Sequence, residues 1–160
     1  MSKLTVKTEG DLDVVITRRF DAPPELVYKA HLDPKLIQKW CSGPSGWTMT
    51  ACEVDVRPGG RIRYDWANEN GNSFYLTGEY IELVPNSKIV FVERWHMPDP
   101  SPDKHNETTF TPDGDGTLMT IRMRFPDAKS RAETLATGME HGMEASYVNF
   151  ELVTKSLSTV

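Results

Sequence analysis

The chain has 160 residues, 38% of them hydrophobic and 26% charged, which suits one globular domain with a sizeable core and excludes a disordered chain. Acids and bases are interleaved to a formal net charge of −5, so no Lys/Arg cluster offers a phosphate footprint and nucleic acid is excluded as a partner. No apolar run approaches the ~20 residues of a membrane span, and the acid-bearing start MSKLTVKTEGDLDVV lacks a secretory h-region, so the expected compartment is cytoplasmic.

The first clear strand runs from Val14 to Phe20, with Val14, Ile16 and Phe20 on one face. Arg18 falls in phase with them and needs a partner if buried. Asp21 is read as a cap for a helix over Glu25 to Leu32, and Asp33-Pro34 starts a second helix carrying Leu36, Ile37 and Trp40. Cys41 to Trp47 holds two glycines and a proline and reads as a loop. Strands follow over Thr48–Arg57, Arg61–Trp66, Phe74–Val84 and Lys88–Trp95, separated by turns at Pro58-Gly59-Gly60, Asn68–Asn72 and Pro85-Asn86-Ser87. In the Arg61–Trp66 strand, Ile62, Tyr64 and Trp66 share one face and Arg61, Arg63 and Asp65 the other. A proline-rich loop spans 98–103, Glu107–Thr111 is polar and β-prone, and Pro112–Gly116 makes a turn. Thr117–Phe125 then places Met119, Ile121, Met123 and Phe125 on one side.

The chain ends in helix, from Ala128 to about Thr137, with a bend at Gly138 or Gly142. Beyond the bend, Met139, Met143, Ser146, Phe150, Val153 and Leu157 form an apolar stripe, and Glu140, Glu144, Glu151 and Lys155 fall largely elsewhere. Helices at both ends and strands between them, without strand–helix alternation, predict an α+β fold: a curved antiparallel sheet with helices on one face.

The segments Val15-Ile16-Thr17-Arg18-Arg19-Phe20-Asp21-Ala22-Pro23, Val27-Tyr28-Lys29-Ala30, Asp33-Pro34, Trp40, Gly43-Pro44 and Asp55-Val56-Arg57-Pro58-Gly59-Gly60 carry a resemblance. Together with Gly78-Glu79-Tyr80, Glu82, Pro85 and the Gly142 region, they resemble the START-like, helix-grip superfamily, SRPBCC. The closer likeness is to the branch named for the C-terminal domain of the activator of the ninety-kilodalton heat-shock chaperone's ATPase. The resemblance covers nearly the whole chain. It implies one helix-grip domain over residues 1–160: a strand, two short helices, a six-stranded run and a long C-terminal helix over the concave sheet. Relatives include lipid-transfer domains, polyketide cyclases and aromatases, hormone receptors and chaperone activators, so the fold alone does not choose a function. Eukaryotic activators carry a further N-terminal domain that contributes much of the chaperone contact, whereas this chain starts almost at its first strand.

Such a fold encloses a cavity between sheet and helix, lined by apolar and aromatic side chains with a few placed polar groups. The expected lining is Trp40, Trp47, Tyr64, Trp66, Tyr75, Trp95, Tyr147 and Phe150, with Met119, Met123, Met139 and Met143 as an adaptable wall. The competing reading is an ordinary solid core. Glu93, in phase with Ile89, Phe91 and Trp95, is expected to point inward, where it could act as acid, base or ligand acceptor, or pair with Arg18 or Arg122. His96 lacks an orienting partner in sequence. Neither His31, His96, His105 and His141 nor Cys41 and Cys52 show metal-ligand spacing, and the two cysteines read as reduced thiols. No phosphate loop or Gly-x-Ser-x-Gly elbow is present. The reading is therefore a cofactor-free, non-catalytic binder of a small hydrophobic molecule, a lipid or an aromatic compound. A protein-interaction module and a cyclase/aromatase-like enzyme stand as the second and third alternatives.

Overall fold

The structure, a computed structural model, describes residues 3–42, 46–97 and 99–158. Gly43, Pro44 and Ser45 of the glycine-rich loop and Pro98 of the proline-rich loop lie outside the described residues. In chain order the elements are β1 (Thr5–Glu9), β2 (Asp13–Phe20), α1 (Pro24–Leu32), α2 (Pro34–Trp40), β3 (Trp47–Val54) and β4 (Arg61–Asn68). Then come β5 (Ser73–Val84), β6 (Lys88–His96), β7 (Lys104–Asp113), β8 (Gly116–Arg124), α3 (Ala128–Ala136) and α4 (Met139–Ser158).

Local chemistry explains most boundaries. Asp33 accepts a hydrogen bond from the Lys35 amide at 3.0 Å and Pro34 takes the first helical position, so α2 starts cleanly after α1 ends. Asp127 caps α3 through the Ser130 amide at 2.7 Å. Asp21 does not cap α1 as expected: the N-cap is Pro23, without a side-chain bond, and Asp21 pairs with Arg19 instead. The bend in the C-terminal helix falls at Gly138, whose φ of 73° lies in the left-handed region that glycine adopts freely.

The eight strands form one antiparallel sheet in the order β1-β2-β8-β7-β6-β5-β4-β3. Only β2 and β8 are neighbours out of sequence, so α1 and α2 carry the chain from one side of the sheet to its far edge at β3. These two helices and α4 then pack together over the inner face. Bulges between Met49 and Ala51 and between Tyr80 and Glu82 add local twist, which helps the sheet bend around α4. At the β3–β4 turn a Cβ on Gly60 would stand 1.8 Å from the Asp55 carbonyl oxygen, so only glycine fits that close approach. The fold is the helix grip that the sequence predicts, with β1 as an additional edge strand.

The core lies between the inner face and the helices. It contains Val14, Ile16 and Phe20 of β2, Met119, Ile121 and Met123 of β8, and Tyr147 and Phe150 of α4, all buried. Arg18 is buried among them, at 1% exposure. Its Nε and Nη2 donate to the two oxygens of Glu144 at 2.9 and 2.8 Å, and its Nη1 donates to Glu151 Oε1 at 2.6 Å. Glu144 also accepts the Leu4 amide at 3.0 Å, joining the start of the chain to α4. Burial opposes the charge of Arg18, but the hydrogen bonds it donates to Glu144 and Glu151 outweigh that and hold its pKa above the ordinary value. Glu144 and Glu151, expected away from the packed side, thus form the ionic edge of the α4 seam.

Candidate functional site

The inner face divides into a buried end and a middle of mostly half-buried side chains. At the buried end, Phe150 lies 4.7 Å from Phe20, 4.7 Å from His31 and 5.0 Å from Trp40 between ring centroids, and Trp40 stacks on Tyr147 at 5.7 Å. The Trp40 indole donates to the Ala30 carbonyl at 2.8 Å. Trp40, Tyr147, Phe150 and the buried Met119 are therefore packing residues.

His31 belongs to this block. Its Nδ1 lies 2.8 Å from the Val27 carbonyl oxygen, so the neutral ring donates there and leaves Nε2 as an acceptor without a partner among the described residues. Burial pushes its pKa down to about 4 from 6.5. Above pH 6.5 the ring is neutral in both the folded and the unfolded chain. As pH falls from 6.5 towards 4, only the unfolded chain takes up the proton, so stability declines across that window. The expected loss is about 2–3 kcal/mol, measured by urea denaturation on either side of the window, and His31→Phe should remove that slope. Asp13 and Glu144 are held below their ordinary 3.8 and 4.5 by Arg124 and Arg18 respectively, so the stability they contribute is lost only at lower pH.

Towards β3–β6 a second aromatic group forms. Trp66 stacks on Phe74 at 4.9 Å and on Trp95 at 5.4 Å, Phe74 and Trp95 lie 5.9 Å apart, and Trp47 meets Phe74 edge-on at 4.9 Å. The Trp66 indole donates to the Cys41 carbonyl at 2.8 Å, tying this group to the end of α2. Trp47, Phe74 and Trp95 are only half-buried, in contrast to Trp66. Tyr75, expected among the lining residues, lies on the other side of β5. It stacks on His96 at 4.2 Å and beneath the Arg63 guanidinium at 4.2 Å, both outer-face contacts, because strand alternation turns it away from Phe74 and Leu76. His96 is held there by Thr77 at 2.9 Å.

Between these groups the inner face is partly polar. Glu93 points inward, as its phase predicts, but its partner is Lys104 at 2.8 Å rather than Arg18 or Arg122. A proton-moving role would have to break this ion pair. Tyr64 keeps accessible surface, yet burial pushes its phenol well above the usual range, with the Tyr80, Cys41, Cys52 and Glu93 charges adding to the effect. Cys41 and Cys52 are also half-buried, and burial pushes both thiols up to about 12, which leaves them unreactive as nucleophiles. Phe91, Met139 and Met143 are half-buried as well, whereas Met123 is buried. Along β7 the inward positions are Lys104, Asn106 and Thr108, then Phe110, all buried. Sequence reading missed Lys104 and Asn106 because it starts this strand at Glu107, and it read Thr108 only as part of a polar, β-prone run. Their signal was a period of two in step with Phe110, masked by polar residues on both faces.

An open groove of about 800 Å³ lies elsewhere, lined by Arg94, Pro100–Asp103, His105 and Arg124–Pro126 at the ends of β6, β7 and β8. Arg94 is bound to Asp103 and Arg124 to Asp13, so its cations are already paired. Among the described residues no group of three or more His, Cys, Asp or Glu could hold a metal ion, and no helix is long and apolar enough to cross a membrane.

A concave antiparallel sheet closed over by a long C-terminal helix, with aromatic, methionine and buried polar side chains between them, defines a START-like helix-grip domain. The family described as Activator of Hsp90 ATPase homolog 1-like protein matches residues 21–154, and the chain belongs to it. A Rhodobacter sphaeroides protein shares the fold at a TM-score of 0.88 and 23% identity, covering 97% of this chain and 99% of its own. A Nitrosomonas europaea protein does so at 0.83 and 22%, covering 96% and 100%. A Mycobacterium smegmatis protein does so at 0.82 and 24%, covering 93% and 94%. An uncharacterized Schizosaccharomyces pombe protein is 29% identical over 111 residues, which are 69% of this chain and 28% of that protein's length.

Proposed function

We propose that the domain encloses a small hydrophobic molecule between the sheet and α4, lined by Tyr64, Trp66, Glu93, Trp95, Met123, Met139 and Met143, with Trp47 at the mouth. The observation that carries this reading is the state of the middle of the inner face. Tyr64, Cys41, Phe91, Trp95, Met139 and Met143 all keep accessible surface, and the Tyr64 and Cys41 groups are desolvated by surrounding protein. Partial accessibility of side chains that protein surrounds is what residues bordering an enclosed space would have, and it supports the reading. Methionines on the helix side suit such space because their unbranched side chains adapt to different occupants. Binding there would draw its free energy from apolar burial, at roughly 25 cal/mol per Å² before the costs of association.

The test is titration with a panel of medium-chain lipids and aromatic compounds, followed by tryptophan fluorescence and by native mass spectrometry. Saturable change in the emission of Trp47, Trp66 and Trp95, with one-to-one complexes by mass, is the expected result. Unchanged emission and no complex across the panel would contradict the reading.

A further inference from the structure

Resting on that enclosure, the buried polar row of β7 narrows the chemistry of the occupant. Asn106 is 2% exposed, and neither its Nδ2 nor its Oδ1 has a hydrogen-bond partner among the described residues. Buried amides are normally paired, because an unmet donor and acceptor forfeit their hydration without return. A structural core would place leucine or valine here. Two residues earlier in the same inward row, Lys104 is occupied by Glu93 at 2.8 Å; two residues later comes buried Thr108. Asn106 is flanked in register by Phe91 of β6 and Met123 of β8, so its amide has apolar neighbours on both sides.

We propose that the occupant is an amphiphile with an uncharged carboxamide head, whose own donor and acceptor pair with the Asn106 amide while its hydrocarbon part packs against the apolar residues around it. A carboxamide is the small neutral group that meets both orphaned atoms at once. The charges of the interior argue against an ionised head. Beside Asn106, Lys104 is neutralised by Glu93, and the Glu144 and Glu151 carboxylates are both engaged by Arg18 of β2, two strands from β7, so a carboxylate or an ammonium at Asn106 would enter without a free counter-charge next to it. Met123 is the flexible neighbour that can shift to admit the head.

The test compares octanamide, octanoate and octylammonium by isothermal titration calorimetry against the wild-type chain, Asn106→Leu and Asn106→Thr. One satisfied pair of buried hydrogen bonds is expected to favour octanamide by about tenfold over both charged analogues. In Asn106→Leu that preference should shrink, because octanamide loses its hydrogen-bond partner while the charged heads still lack a counter-charge; tail-driven binding should persist, and the melting temperature of the variant should not fall, because an unmet amide has been removed. Asn106→Thr, which keeps one hydroxyl, should retain part of the preference. Equal affinity of the three ligands for the wild-type chain, or an unchanged preference in Asn106→Leu, would overturn the carboxamide assignment and leave enclosure standing. Absence of binding by all three would overturn both.

Discussion

Arg18→Ala is expected to destabilise the fold by about 3–5 kcal/mol, the usual loss when one partner of a buried ion pair is removed. The substitution strips Glu144 of two hydrogen bonds and Glu151 of one, and it empties the position beside Phe20 and Tyr147, whose rings lie 5.0 and 5.9 Å from the guanidinium carbon. It also loosens the tie between β2 and α4 that holds the helix against the sheet. Chemical denaturation of the wild-type chain and the variant measures the loss. The triple variant Arg18→Met, Glu144→Gln, Glu151→Gln should recover most of it, since an apolar replacement of a whole buried cluster is often neutral. A loss below about 1 kcal/mol for Arg18→Ala would mean that the pair behaves like an exposed one.

Phe150→Ala carries the second large effect, also about 3–5 kcal/mol, from lost burial and the cavity left behind. Phe150 is fully buried and touches Phe20, His31, Trp40 and Tyr147. The four rings are anchored on β2, α1, α2 and α4 itself, so none can collapse into the gap without moving an element. Leu152, two residues on, is 64% exposed, and Leu152→Ala should change stability by no more than about 0.5 kcal/mol. Thermal or urea unfolding of the pair checks which side of α4 faces the sheet; similar losses for both would contradict the placement.

Much of this was legible because period and phase report directly on burial. The α4 stripe through Met139, Met143 and Phe150 and the alternation of Ile62, Tyr64 and Trp66 predicted the inner surface. The phase of Arg18 within β2 raised the question that Glu144 and Glu151 answer. Other features were hidden for physical reasons. β1 is a mostly exposed edge strand with little apolar alternation, so nothing in Thr5–Glu9 marks it. Tyr75 was assigned inward by residue type, whereas strand phase places it outward with Arg63 and His96. Lys104, Asn106 and Thr108 face inward on a strand that is polar on both sides, and polar side chains at core positions look like surface until the register is known. Whether side chains such as Trp40 and Tyr64 fill or border space depends on packing across four or more elements, which no local pattern encodes.

The most direct test of enclosure uses the methionines as reporters of place. With methyl-labelled methionine, titration of an amphiphile that binds should shift the signals of Met123, Met139 and Met143, the methionines of the proposed lining. Met97, 60% exposed at the end of β6, should remain still. Shifts confined to Met97, or no shift at Met123, Met139 and Met143 while binding is saturable, would place the molecule outside the grip of sheet and helix and contradict the account.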